Sequence, residues 1–161
     1  MSTKRLFQSE DHDHDHCVAD ALATAARICE ERGERLTPLR RQVLELVWAS
    51  HRPARAYDLL DRLQEHRSSA APPTVYRVLD FLLEQGLVHR IESLNAFVGC
   101  GTPGDHHGGQ FLICRSCEKI AELDAENITD AVQQVAARNG FQVERQTVEA
   151  FGLCPECVGD L

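Results

Sequence analysis

The chain has 161 residues, 43% of them hydrophobic, with 25 acidic against 17 basic side chains and a formal net charge of -8. That length allows one large domain or two small ones, and the apolar fraction is enough to bury a core. The segment Met1 to Cys17 is polar and acidic, lacks the apolar stretch of a secretion signal, and is followed by no apolar run of bilayer length, so a cytoplasmic protein without membrane association is expected. An acidic chain is a poor first candidate for nucleic acid, but the charge is uneven. Cys17 to Arg90 holds 11 Arg against 10 acids, whereas Ile91 to Leu161 holds 4 basic residues against 11 acids. Affinity for a polyanion depends on where cations face, so the N-terminal half keeps that possibility open.

Residues 1–16 form an acidic, His-rich tail in which Asp11-His12-Asp13-His14-Asp15-His16, followed by Cys17, alternates carboxylate and imidazole. Such a composition can bind metal weakly or deliver it; the plainer reading, and the expectation, is a disordered, solvated tail. Helical spacing begins at Val18 and runs to Arg32, with Leu22, Ala25, Ala26 and Cys29 on one face and Gly33 as the stop. Cys29 then reads as a small buried hydrophobe. Thr37-Pro38 is a cap followed by proline at the first helical position, leading into Val43, Leu44, Val47 and Trp48. Ala56 to Glu65 repeats the pattern with Leu59, Leu60 and Leu63. Pro72-Pro73 rigidify the approach to a helix over 74–85, whose inward face is Val75, Val78, Leu79, Leu82 and Leu83 and whose end is Gly86.

After Gly86 the period changes. Leu87 to Ile91 and Ala96 to Val98 read as strands around a turn at Ser93 to Asn95. Helices followed by a two-stranded hairpin predict a winged helix over 17–98, a helix-turn-helix variant whose last helix enters the major groove. Tyr76 and Arg77 then stand where base contacts are made: arginine can pair bidentately with guanine, and tyrosine can meet a thymine methyl or a phosphate. Thr74, Tyr57, Arg40 and Arg41 are further candidates for the DNA face.

A Gly-rich connector, 99–109, separates this from residues 110–161. There, strands are expected near 110–114 and 119–123, a helix over 125–138 and a strand over 141–150. The second half also carries two matched pairs, Cys114-x-x-Cys117 and Cys154-x-x-Cys157. Each pair can hold a metal from one tight turn, and together they make a closed four-sulfur site suited to Zn²⁺. With every position filled by protein, such a site is structural. The alternative, paired disulfides, needs an oxidising compartment that nothing in the chain indicates. Other residues able to ligate metal include His89, Cys100, Asp105, His106, His107 and Glu122, which span the predicted wing, the connector and the C-terminal half.

Arg35-Leu36-Thr37-Pro38-Leu39-Arg40, Pro72-Pro73-Thr74-Val75-Tyr76-Arg77-Val78-Leu79 and the two CxxC pairs together resemble the ferric uptake regulator superfamily, from about Cys17 to Val158. Within it, Ala56 to Asp61, Phe81 to Val88 and Gly152-Leu153-Cys154 are most similar to the zinc uptake regulators. The resemblance implies an α+β fold: an N-terminal winged-helix DNA-binding domain followed by a small α/β dimerisation domain with a four-cysteine zinc site. It also implies a homodimer that represses zinc uptake genes by binding palindromic double-stranded operator DNA when loaded. Two Zn²⁺ per subunit are implied, one structural on Cys114, Cys117, Cys154 and Cys157 and one regulatory on His89, Cys100, His106 and Glu122. His107 adjoins His106 as an alternative ligand. Where iron sensors have a His-rich cluster before the first CxxC, this chain has Gly108-Gly109-Gln110-Phe111.

Other readings differ in class. A sensor of iron, manganese or peroxide would share the winged helix and the four-cysteine site and differ only at the sensing ligands. A zinc store or chaperone would use the His tail and the cysteines but not Tyr76 and Arg77. A zinc hydrolase or deaminase is disfavoured, because no His-Glu-x-x-His occurs and no His-x-Glu accompanies a CxxC.

Overall fold

The structure, a computed structural model, describes residues 6–8, 12–104 and 108–159. The fold is α+β, and the chain divides into two compact units, one within Gln8–Asp105 and the other built on His106–Leu161.

The first unit runs α1 (His14–Glu31), α2 (Pro38–Val47), β1 (Ala54–Arg55), α3 (Ala56–Gln64), α4 (Pro72–Glu84), β2 (Val88–Ile91), a single 3-10 turn (Glu92–Leu94) and β3 (Ala96–Gly99). Helix α1 starts four residues before the expected Val18, so the end of the predicted tail is helical. Asp13 caps it by accepting the His16 N–H at 3.1 Å, satisfying one of the donors that a helix start leaves open. The helix closes at Gly33, whose φ of +70° permits the Glu34 N–H to reach back to the Cys29 carbonyl at 2.8 Å. Thr37 caps α2 as expected, accepting from the Arg40 N–H.

In α4, Pro72 and Pro73 are the first residues of the helix itself rather than a lead-in to it. Their missing N–H groups are among those that no helix start can satisfy internally, so the prolines cost nothing there. The helix presents Val75, Val78, Leu79 and Leu82 to a core completed by Leu44 and Val47 of α2 and Leu59 and Leu63 of α3, all buried. Each such burial is worth about 1.5–3 kcal/mol, so the three helices hold one another in place. The wing is antiparallel in the order β1-β3-β2, with His89 opposite Val98 and Ala54 opposite Phe97. Strand β1 was not expected from the sequence.

The second unit comprises β4 (Gly109–Cys114), β5 (Ile120–Glu122), α5 (Glu126–Arg138), β6 (Thr147–Gly152) and a final turn of helix, α6 (Pro155–Gly159). Its sheet has the order β5-β4-β6, with β4 antiparallel to β5 and parallel to β6. The parallel pair needs a crossover, which α5 supplies. The strand expected over 141–150 is displaced to 147–152. The Phe141 N–H turns back to the Ala136 carbonyl at 2.9 Å, finishing α5, and pairing begins only where Thr147 comes opposite Gly109. Phe111, Ile113 and Ala121 are buried in this unit, but α5 buries no residue at all: Val132 and Val135 remain 40% and 59% exposed. Among the described residues, no helix is long and apolar enough to cross a membrane.

Candidate functional site

Cys114 ends β4 and Cys154 follows β6, and because those two strands are hydrogen-bonded neighbours, their ends bring both CxxC turns together. One sulfur from each of Cys114, Cys117, Cys154 and Cys157 lies within 4.8 Å of the others, and the Cys117 and Cys154 sulfurs are 3.7 Å apart. Two ligands about 2.3 Å from a tetrahedral Zn²⁺ stand about 3.8 Å apart, so the donor set fits that ion. The chain also supports the charge. Burial works against the Cys114 thiolate, but the backbone N–H groups of Cys117, Cys154 and Ser116 outweigh it and bring its pKa down to about 6 from 9.0. The Cys154 N–H lies 3.4 Å from that sulfur. Cys117 is raised, chiefly by burial. The Ser116 side chain pulls Cys157 down, yet Cys154, burial, Cys117 and Cys114 together push it up to about 12. One thiolate is thus prepared by the fold, while Cys117 and Cys157 keep their protons until a cation displaces them.

The two turns are also clipped from outside. Lys119, two residues past the first pair, forms a 2.5 Å ion pair with Glu156, which lies inside the second pair. Neither residue stood out in the sequence, because an isolated Lys and Glu carry no motif.

At the base of the wing, His89 on β2 and Cys100, just beyond β3, place a ring nitrogen and a sulfur within 4.8 Å. The register makes this so: Val88 is opposite Gly99, and the Cys100 N–H bonds the Leu87 carbonyl at 3.0 Å. Cys100 is 2% exposed and His89 half-buried. Glu122 ends β5 in the second unit, opposite Phe111, and is also half-buried. His106, with Asp105 and His107, lies outside the described residues.

On the outer face of α4, Tyr76 is 53% exposed and Arg77 is exposed, while Thr74 is half-buried near the helix start. Tyr57, at the start of α3, is 72% exposed. Arg40 is held differently: its guanidinium lies 3.5 Å from the Phe81 ring centre and donates to the Arg35 carbonyl at 2.6 Å. Its charge is therefore fixed in position by the fold. Cys29 is buried as expected, and that burial raises its thiol pKa.

A winged-helix unit with a His–Cys donor pair at its wing, followed by a sheet unit with a four-cysteine centre, is the architecture of metal-responsive DNA-binding regulators. Residues 31–151 match the Ferric uptake regulator family, and the chain belongs to that family. It is 45% identical over 140 residues to the zinc uptake regulation protein of Escherichia coli, covering 86% of this chain and 82% of that one. To the peroxide operon regulator of Bacillus subtilis it is 32% identical over 146 residues, 87% of this chain and 95% of the other. Among solved structures, a zinc uptake regulator complexed with zinc and DNA superposes with a TM-score of 0.85 at 44% identity, covering 89% of this chain and 96% of that chain.

Proposed function

We propose that this chain is a zinc-responsive transcriptional repressor: it binds operator DNA as a homodimer when its regulatory zinc site is filled, and so controls zinc uptake genes. Support comes from the 45% identity to the E. coli zinc uptake regulation protein and from the likeness to a zinc uptake regulator complexed with zinc and DNA. On this reading, Cys114, Cys117, Cys154 and Cys157 hold a structural Zn²⁺, and His89, Cys100, His106 and Glu122 hold the sensed one. Residues 17–98 form the DNA-binding domain, 99–109 the hinge and 110–161 the dimerisation domain. Tyr76 and Arg77 of α4 face the bases, Thr74 joins them on the DNA face, and Tyr57 and Arg40 face phosphates. The protein acts in the cytoplasm as a regulator rather than an enzyme.

The observation that carries the choice of metal is the buried Cys100 sulfur beside the His89 ring at the wing. A thiolate with imidazole favours Zn²⁺ over Mn²⁺ or Fe²⁺, which are better served by carboxylate and imidazole alone. Dimerisation is supported by α5, whose apolar residues are unburied in the single chain and need a second surface. An ion shared between the wing and the second domain would restrict their relative orientations to those in which two recognition helices fit one palindrome. A coupling of about 1–3 kcal/mol, or roughly 5–150-fold in affinity, suffices to switch a promoter.

The test is binding to a labelled palindromic duplex at fixed salt while free Zn²⁺ is buffered, with Fe²⁺ and Mn²⁺ in parallel. Binding that appears with zinc at far lower free concentration than with the other metals is expected. An equal response to iron or manganese would overturn the zinc assignment, and no DNA binding with any metal would overturn the regulator.

A further inference from the structure

His12, His14 and His51 meet in the first unit although they come from separate parts of the sequence. His14 is the first residue of α1, His12 stands just before its cap, Asp13, and His51 lies in the turn between α2 and β1. Their ring centres are 5.5, 4.6 and 4.9 Å apart for the pairs 12–14, 12–51 and 14–51. The Nε2 atoms of His12 and His51 are 2.9 Å apart, and one nitrogen from each of the three rings lies within 4.8 Å of the others.

Simple ring packing does not account for this arrangement. Both nitrogens of His14 are buried without a hydrogen-bond partner, a costly state for an imidazole unless something else satisfies them. Nor is the cluster a by-product of a His-rich tail, since the tail's other imidazole is used elsewhere: His16 is 71% exposed and pairs with Asp20 at 3.3 Å. Asp13, between His12 and His14, is occupied in capping the helix. The fold has selected two of three alternating histidines and matched them with a distant third.

We infer that His12, His14 and His51 form a third metal site, for a late first-row divalent cation such as Zn²⁺, Ni²⁺ or Cu²⁺. Three neutral imidazoles suit those ions and not Mg²⁺ or Ca²⁺, which require oxygen ligands. With no thiolate among its donors, the site fills at higher free metal than the four-cysteine centre. Its ion would tie the start of α1 to the turn after α2. The site does not depend on the regulatory reading above, because none of its ligands belongs to the four-cysteine centre or to the His89–Cys100 pair.

The test uses the full chain, with zinc titrated past the equivalents held by the other sites while the histidine ring resonances are followed by NMR. One further equivalent is expected, shifting the rings of His12, His14 and His51 together. Both His51→Gln and, independently, His12→Ala are expected to lose that equivalent. Both should retain zinc-dependent DNA binding and the thiolate charge-transfer band of Co²⁺ in the four-cysteine centre. His12 precedes the first helix, so its variant keeps the core even if the His51 variant does not. Unchanged stoichiometry in the folded variants, or a last equivalent that shifts His16, His66 or His107 instead, would overturn the site. Ni²⁺ and Cu²⁺ run in parallel rank the cations it prefers.

Discussion

Gly99 lies against the indole of Trp48 so closely that a Cβ on Gly99 would stand 2.1 Å from Trp48 Cε2. The next residue is Cys100, so the indole packs one residue away from a candidate metal ligand. Gly99→Ala must push the ring or the strand aside, and overpacking of that kind costs about 1–3 kcal/mol. A lowered melting temperature is expected together with a weakened zinc response of DNA binding. A variant that melts lower but responds normally to zinc would show that the indole does not position Cys100.

Removing one sulfur from each centre should have unequal effects. Structural zinc contributes an apparent binding free energy on the order of 10 kcal/mol, comparable to the whole stability of a small domain. Cys114→Ser is therefore expected to unfold the second unit, whereas Cys100→Ser leaves circular dichroism and dimer size intact and abolishes zinc-dependent DNA binding. Equal unfolding of both variants would contradict the division into structural and sensing centres.

Proton competition at the four-cysteine centre has a direction set by its thiols. Cys114, with a pKa of about 6, is already a thiolate at pH 7 and yields no proton to zinc there, while Cys117, raised, and Cys157, at about 12, must each give one up. Affinity thus falls as pH falls, and below about 6 the Cys114 proton joins those displaced. Chelator competition between about pH 7.5 and 5 should show the slope of log affinity against pH steepening by about one unit near pH 6. A constant slope would mean that the backbone N–H groups do not lower Cys114.

Arg77→Lys separates two kinds of DNA contact. Loss of a bidentate base contact costs about 1–3 kcal/mol for the cognate duplex and relaxes discrimination at one base pair. A phosphate contact would instead be largely kept by lysine, with discrimination unchanged. The first result is expected, measured as anisotropy on matched and single-substituted duplexes at two salt concentrations.

On the face of α5, Val135→Asp is expected to shift the protein from dimer toward monomer in sedimentation without melting the fold, because Val135 is 59% exposed in the single chain. A dimer of unchanged stability would place the interface elsewhere.

The sequence made the helices of the first unit and the four cysteines legible because both are encoded locally, by period 3.6 and by ligand spacing. What it hid was pairing at a distance. Phe141 and Val143 alternate like a strand, but alternation names no partner, and the partner register starts only at Thr147. Strand β1 has two residues, too few to show a period. His51 in its turn carries no motif, and its neighbour His12 lies 39 residues away, so nothing local marks their meeting. Pro72 and Pro73 read as a lead-in because proline signals a boundary without saying on which side of it the residue falls.

The hydrogen bond from Cys100 to the Leu87 carbonyl and the register of Val88 with Gly99 hold two donors side by side before any ion arrives. On the proposed reading, half of the four-ligand regulatory set is thus preassembled by strand pairing that the wing needs anyway. Sequence drift at the other ligands could then retune the threshold or the preferred ion without disturbing the surface that reads DNA, which would let one scaffold be repurposed for different metals by few substitutions.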